Sequence, residues 1–174
     1  LATISAVSDD LTVTCTEVED AGNFTNFTSA LTIAASNVDF TDCKFASTVA
    51  VNDINSSFTN GSITGALTIS AATTLVNNVT VSSTTTLEAT GITIQNSTIK
   101  NTISAANGQD VEGLTLTANT FSGTANHEAI SIGTGSSTNS TITISGNTLS
   151  GKITKGIVLS SGKSTIYNNT IGSS

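Results

Sequence analysis

The sequence predicts an all-β solenoid of about seven coils, each built from three short strands and 18 to 28 residues long. Three observations indicate it: a short apolar motif that recurs down the chain, β-branched alternations between its copies, and an Asn or Asp at a fixed place in each copy. Self-similarity at a short fixed period is typical of architectures that stack one structural unit per repeat.

The motif is clearest in residues 40–99. Four apolar residues lie 18 residues apart, each followed two residues later by Asp or Asn, with a second apolar residue five positions after the first. The three sets are Phe40, Phe58, Val76 and Ile94; Asp42, Asn60, Asn78 and Asn96; and Phe45, Ile63, Val81 and Ile99. Downstream the Asn moves by one position and the spacing becomes 22, 28 and 22 residues, in Leu116, Asn119 and Phe121, then Ile144, Asn147 and Leu149, then Ile166, Asn169 and Ile171.

Between these copies lie apolar alternations whose β-branched residues favour strand over helix. They occupy residues 11–13, 31–33, 49–51, 67–69, 130–132 and 157–159. We expect them to form the first strand of each coil, the residues before the Asn to form the second, and the Thr-plus-apolar pair after it to form the third. Thr3 and Ile4 resemble that third type of strand.

The backbone conformation of the corner between the second and third strands explains why Asn recurs there. A two-residue corner requires one residue in the left-handed region of backbone space, which Asn tolerates better than any residue except Gly. Stacked at one corner, these side chains can bond one another as a single buried ladder. The predicted ladder is Asp42, Asn60, Asn78, Asn96, Asn119, Asn147 and Asn169.

One short corner with variable loops elsewhere resembles the right-handed parallel β-helix of the pectate-lyase type. The variable stretches are residues 105–113, 122–127 and 133–140, and the resemblance covers residues 11–171. It implies a single right-handed parallel β-helix domain over 1–174, with an irregular first coil in 1–30, regular coils in 31–99 and longer loops in 100–174. It implies nothing specific about activity.

The chain is acidic, with a formal net charge of −7, and its charge is unevenly distributed. Eight acids and one lysine lie in residues 1–60, four acids and one lysine in 61–128, and three lysines with no acid in 129–174. We therefore expect one acidic and one basic end, and no nucleic-acid partner, since the sequence has no basic patch. No apolar run approaches the length of about 18 residues that spans a membrane.

The sequence suggests no capping helix, so edge strands at the ends are expected to pair with another copy or with further chain. Because the chain begins at Leu1 rather than Met, we expect a processed or partial chain. Cys15 and Cys43 are the two cysteines, and a disulfide in a secreted protein is the leading hypothesis. The alternative is a pair of buried thiols, and neither residue has a zinc-ligand partner at suitable spacing.

Threonines recur at two outward-facing positions of the predicted coils. Because neighbouring strands lie about 4.8 Å apart, they would form rows of hydroxyl and methyl groups. The rows are Thr80, Thr98, Thr120, Thr148 and Thr170 after the corner, and Thr93, Thr115, Thr143 and Thr165 before it. Such rows resemble the threonine arrays of solenoid ice-binding proteins, and they suit strand stability or lateral packing between rods equally well.

No catalytic constellation stands out, and we expect neither an enzyme nor a cofactor. A glycan-cleaving site needs paired carboxylates, for which Asp39, Asp42 and Asp53 are the nearest candidates, with no arginine or tryptophan to assist them. His127 and Glu128 form the other conspicuous pair, and we interpret His127 as a solvated loop residue.

Calcium and N-linked glycans are further candidates, the first because carboxylate oxygens suit calcium. The candidate calcium ligands, with a plain acidic end as the alternative, are Asp9, Asp10, Glu17, Glu19 and Asp20. Three Asn-x-Ser/Thr sequons are expected to be exposed and open to glycosylation, at Asn23, Asn26 and Asn139. The sequons at Asn60, Asn78 and Asn96 are expected to be buried in the ladder.

These observations favour an extracellular or cell-surface structural or adhesive protein that associates with itself, end to end or laterally, into a filament or surface layer. The split between an acidic and a basic end favours head-to-tail contact. The alternatives are an ice-binding protein that uses the threonine rows, and a polysaccharide-binding or polysaccharide-cleaving domain around Asp39, Asp42 and Asp53.

Overall fold

The computed structural model describes residues 2–5, 10–15, 26–133, 141–160 and 163–172, and within them it contains β-strands and no helix. In chain order the strands are β1 (Ala2–Ser5), β2 (Leu11–Thr14), β3 (Leu31–Ala34), β4 (Val38–Thr41), β5 (Lys44–Phe45), β6 (Val49–Val51), β7 (Ser57–Ile63), β8 (Leu67–Ile69), β9 (Leu75–Val81), β10 (Thr85–Leu87), β11 (Thr93–Gln95), β12 (Thr98–Ile99), β13 (Ile103–Ala105), β14 (Thr115–Thr117), β15 (Thr120–Phe121), β16 (His127–Ile132), β17 (Thr141–Ser145), β18 (Thr148–Leu149), β19 (Ile153–Leu159), β20 (Lys163–Tyr167) and β21 (Thr170–Ile171).

The strands form two sheets, and every strand pairing in the described residues is parallel. Sheet 1 has the order β1-β3-β6-β8-β10-β13-β16-β19. Sheet 2 has two arms joined at a corner, because β7 and β9 each run through that corner. Arm A carries β2, β4, β11, β14, β17 and β20 with the first halves of β7 and β9, and arm B carries β5, β12, β15, β18 and β21 with their second halves. The all-β, parallel part of the predicted fold is therefore confirmed.

The register of sheet 2 follows the apolar repeat of the sequence. In arm A the partners form one unbroken column of inward-facing residues: Phe40, Phe58, Val76, Ile94, Leu116, Ile144 and Ile166. A slip of one residue would turn each of these side chains outward, so burial fixes the register. The spacing of the repeat was therefore a sufficient guide to which residues lie side by side.

The core lies between the inward faces of sheet 1 and of both arms. Its first layers are aromatic: Phe40 stacks on Phe58 with ring centroids 5.2 Å apart, and Phe27 stacks on Phe45 at 4.7 Å. Later layers are filled mainly by Ile, Leu and Val, with Phe121 between Ile99 and Leu149, and most of these side chains are fully buried. A uniform column of similar side chains lets each layer pack on the next without voids.

Two assignments at the start of the chain were wrong. Residues 11–13 were expected to form a first strand, but β2 pairs with β4 in arm A. Thr3 and Ile4 were expected to form a third strand, but β1 pairs with β3 in sheet 1. Both errors arise because a Thr-plus-apolar pair fits any of the three strand positions, and only the register of the neighbouring layer distinguishes them.

A second corner, between sheet 1 and arm A, also needs a left-handed residue. Positive φ angles recur there at Asn37 (59°), Asn55 (59°), Thr73 (58°), Gly91 (67°) and Gly113 (74°). The first three are linked by side chains, since Asn55 Nδ2 donates to Asn37 Oδ1 at 3.1 Å and Thr73 Oγ1 donates to Asn55 Oδ1. This corner was expected to be variable, but its left-handed residues recur every 18 residues from Asn37 to Gly91.

A disulfide ties the first strand of arm A to the next layer. Cys15, directly after β2, is bonded to Cys43, and their Cα atoms lie 5.0 Å apart. The predicted disulfide is therefore present in the structure. The bond closes a separation of 28 residues, which in a chain-entropy account stabilises the fold by about 2 to 4 kcal/mol.

Thr85 allows the packing of the core to be tested by substitution, because its buried hydroxyl has no hydrogen-bond partner among the described residues. Replacing it with the similarly shaped valine removes an unsatisfied polar atom, so Thr85→Val should raise the free energy of unfolding by about 1 kcal/mol. For a chain of this length, that corresponds to about 2 to 4 °C in Tm.

The matched control is Thr74→Val, since the buried Thr74 hydroxyl donates to the Ala71 carbonyl at 3.0 Å. That substitution should lower the free energy of unfolding by about 1 kcal/mol. Thermal and urea unfolding monitored by circular dichroism measures both. Equal shifts in the two variants would contradict this interpretation of the core.

Candidate functional site

The corner between the two arms carries an outer column of left-handed residues. In the order of the layers they are Asp42 (φ 60°), Asn60 (55°), Asn78 (54°), Asn96 (52°), Ala118 (56°), Gly146 (64°) and Asn168 (54°). All seven residues are exposed, and one pair is linked directly, since Asn78 Nδ2 donates to Asn60 Oδ1 at 2.8 Å. Asn96 Nδ2 instead donates to Asn77 Oδ1, the residue before Asn78, at 3.0 Å. The expected burial of Asn60, Asn78 and Asn96 was therefore wrong.

A second, inner column lies one residue further along the chain. Asn119 and Asn147 are each 1% exposed, and Asn169 follows them in the last layer. Asn119 Nδ2 donates to Asn147 Oδ1 at 3.1 Å, and Asn147 Nδ2 donates to Asn169 Oδ1 at 2.9 Å. The expected single ladder is thus two adjacent ladders, with Asp42, Asn60, Asn78 and Asn96 in the outer one and Asn119, Asn147 and Asn169 in the inner one.

Each inner asparagine also satisfies the backbone of its neighbours. The Oδ1 atom of Asn147 accepts from the Asn119 backbone N–H at 2.9 Å, and its Nδ2 donates to the Leu116 carbonyl at 2.9 Å. Asn119 does the same for Ser97 N–H (3.0 Å) and Ile94 C=O (2.8 Å). The one-residue shift of Asn in the sequence was the signal for this change of role.

The threonine rows form continuous columns in the structure. Arm B aligns Lys44, Ser62, Thr80, Thr98, Thr120, Thr148 and Thr170 as successive partners. Arm A aligns Thr12, Asp39, Ser57, Leu75, Thr93, Thr115, Thr143 and Thr165. None of these threonines is buried, so both columns present hydroxyl and methyl groups to solvent.

The carboxylates proposed for glycan chemistry serve local structure. Asp39 Oδ1 accepts a hydrogen bond from the Ser57 hydroxyl in the next layer, and Asp53 Oδ1 accepts from the Ile54 backbone N–H at 2.8 Å. Asp42 occupies the outer corner column. The described residues hold no cluster of three or more His, Cys, Asp or Glu that could bind a metal ion. Four calcium candidates, Asp9, Glu17, Glu19 and Asp20, lie outside the described residues, and Asp10 is exposed.

His127 is not the solvated loop residue that the sequence suggested. It begins β16 and is half-buried against Gly123, where a Cβ would stand 2.1 Å from the imidazole Cε1. Its Nδ1 lies 2.7 Å from the Ala125 carbonyl, and its buried Nε2 has no partner among the described residues.

Glu128 next to it pairs with Lys155 of β19. The Lys155 ammonium donates to Glu128 Oε1 at 2.6 Å. This hydrogen bond lowers the pKa of the Glu128 carboxyl below its ordinary value. A hydrogen bond from the Ser131 side chain lowers the pKa by a smaller amount, while burial opposes the shift. The resulting stabilisation is present above the ordinary Glu pKa and is lost as pH falls through the lowered pKa.

Of the three expected glycosylation positions, the described residues contain only Asn26. Asn26 was expected to be exposed, but it is half-buried and its Oδ1 accepts from the Lys44 backbone N–H at 2.7 Å. Asn23 and Asn139 lie outside the described residues. The sequon asparagines with exposed side chains are Asn55, Asn60, Asn78, Asn96 and Asn168.

With this geometry established, comparison with known proteins yields no match to a protein-family model, to a curated protein or to a solved structure. No helix in the described ranges is long and apolar enough to cross a membrane.

The inner ladder generates a test of what holds the layers together. Asn147→Ala would leave the buried Asn119 N–H without its acceptor and would remove the side-chain donor to the Leu116 carbonyl. We expect the free energy of unfolding to fall by about 2 to 4 kcal/mol, from one buried unsatisfied N–H and the lost side-chain hydrogen bonds to Leu116 and Asn169.

Asn78→Gly is the matched control in the outer ladder. Gly accepts the left-handed φ of 54°, so the variant loses an exposed hydrogen bond without backbone strain. Its cost should stay below about 1 kcal/mol. Urea unfolding compares the two, and an equal or larger loss for Asn78→Gly would show that the inner ladder is not the dominant contact.

Proposed function

We propose that this protein is an extracellular structural or adhesive element, a single right-handed parallel β-helix whose copies associate with one another. Its copies would build a filament or a layer at the cell surface. The winding of the chain as a β-helix is supported by the parallel register, in which each inward column repeats every 18 to 28 residues. It is supported also by the left-handed corner that returns in each layer.

The proposed self-association rests on one observation, the exposure of apolar side chains in the last layer. The arm A column reaches Ile144, which is fully buried, and then Ile166, which is 46% exposed. The arm B column likewise reaches Leu149, fully buried, and then Ile171, which is 62% exposed. Side chains that face the core in every preceding layer thus stand open in the last one, and apolar area of this kind gains about 25 cal/mol per Å² when another surface covers it.

Light scattering and negative-stain electron microscopy of the purified 174-residue chain, across a concentration series, test the proposal. We expect rods or layers that grow with concentration. Ile171→Asp should shift this association to higher concentration, because a carboxylate cannot be buried without a partner.

Ile54→Asp is the control, because Ile54 is 47% exposed but lies in the turn between β6 and β7, away from the last layer. It should leave association unchanged. Compact monomers of the parent chain at every concentration would contradict the proposal.

Ice binding is a second candidate function, favoured by the unbroken threonine column of arm B from Thr80 to Thr170. Its hydroxyl and methyl groups repeat at the strand spacing of about 4.8 Å, which makes a regular surface array. Thermal hysteresis and ice-crystal shaping test it.

Thr120→Tyr places a bulky ring in that column and should abolish any hysteresis. Ser104→Tyr changes an outward position of sheet 1 and should not. No hysteresis of the parent chain at high concentration removes this candidate.

A further inference from the structure

The first described layer has the same open character as the last. Three inward-facing residues there are only half-buried, namely Ile4, Val13 and Phe27. Their partners in the second layer are almost fully buried: Ile33 is 0% exposed, Phe40 1% and Phe45 3%. Both ends of the described core therefore present apolar side chains that a further layer would cover.

The strands at these two ends each have one neighbour among the described strands. In sheet 1, β1 pairs with β3 and β19 pairs with β16; in arm A, β2 pairs with β4 and β20 pairs with β17. An edge strand presents unpaired N–H and C=O groups that can pair with another chain. Since every pairing among the described strands is parallel, a copy stacked head to tail continues the same pattern. A copy related by a two-fold axis would meet it in antiparallel fashion.

We propose, on the basis of the self-association proposed above, that copies join head to tail by parallel strand pairing. In this joint β19 and β20 of one copy pair with β1 and β2 of the next, in the register used within the chain. The partner at this surface is thus a second copy of the same chain, and the contact repeats without closing, which gives a filament.

The register of the joint follows from the columns already described. Thr12 heads the arm A outward column and Thr165 ends it, so Thr165 of one copy lies opposite Thr12 of the next. The same register sets Ile166 over Val13. In sheet 1 it sets Leu159 over Ile4, because both belong to the column that contains Ile33 and Ile132. Ile166 and Leu159 at one end then each meet a half-buried apolar residue at the other.

The proposed register also pairs two side chains of opposite charge. Lys163 lies two residues before Thr165, and Asp10 lies two residues before Thr12. The joint therefore places the Lys163 ammonium opposite the Asp10 carboxylate, and both side chains are exposed in the single chain. A head-to-head joint would bring two Asp10 carboxylates into one interface, and a tail-to-tail joint two Lys163 ammonium groups. Opposite charges at an interface favour the correct orientation.

Cysteine cross-linking tests the orientation and the register together. Thr165→Cys and Thr12→Cys each place one thiol at an exposed, outward position, while the two native cysteines are already paired. Facing residues of neighbouring parallel strands lie about 5 Å apart at Cα, within the range that a disulfide spans. Under mild oxidation, a mixture of the two variants should yield a disulfide-linked heterodimer, whereas each variant alone should not cross-link.

The outcomes separate this inference from the proposed function. Homodimers of Thr165→Cys or of Thr12→Cys would overturn the head-to-tail joint. Assemblies that form without any cross-link would also overturn it and leave the structural function standing. If the parent chain forms no assemblies at all, both fail.

A charge exchange gives a second, independent readout. Lys163→Glu should weaken association about three- to tenfold by placing like charges together. The double variant Asp10→Lys with Lys163→Glu should restore it, because the pair is again of opposite sign. If the double variant associates no better than Lys163→Glu alone, Lys163 and Asp10 do not face each other and the register is wrong. Circular dichroism confirms that each variant retains its strands.

Discussion

The structure depends on a left-handed residue placed at the same register of the seven layers from Asp42 to Asn168, between the two arms of sheet 2. That residue turns the chain within two positions and sends the next strand into the same parallel ladder. If one layer turned a residue later, its arm B strand would present its apolar side chain to solvent and its threonine to the core. The buried columns, the outer hydroxyl columns and the alignment of the asparagines are therefore consequences of one repeated backbone conformation.

The two asparagine columns solve two different problems at that corner. In the first layers Asp42 or an Asn adopts the left-handed conformation, and the next residue is Cys43, Gly61, Val79 or Ser97. In the last three layers Ala118, Gly146 and Asn168 adopt it, and the Asn that follows each of them occupies the inward position, where it hydrogen-bonds backbone groups. Ser97 marks the change, since its hydroxyl already donates inward to the Gln95 carbonyl and accepts from the Val79 N–H.

Much of this fold could be predicted from the sequence, because the periods of 18 and 22 residues align the inward columns directly. What could not be predicted depends on register between layers. Residues 11–13 have the same local pattern as any first strand, and only their pairing with β4 assigns them to arm A. The shift of Asn by one position was visible in the sequence. The sequence did not show, however, which asparagines are exposed and which are buried. The second left-handed corner was missed because Asn37, Asn55, Thr73 and Gly91 are three different residue types that meet one conformational demand.

The sequons and the threonine content have the same structural origin. At the corner, a left-handed Asn is followed by an inward residue and then by an outward residue of arm B, which is Ser62, Thr80, Thr98 or Thr170. An Asn-x-Ser/Thr triplet is therefore what this corner produces, in the sequons of Asn60, Asn78, Asn96 and Asn168. Adjacent layers are about 4.8 Å apart, too close for glycans on successive layers to avoid one another. The geometry of the corner is therefore sufficient to explain the triplets. The Ser and Thr hydroxyl groups that complete them lie on the outside of the protein, where they supply polar surface to a chain with few charged residues.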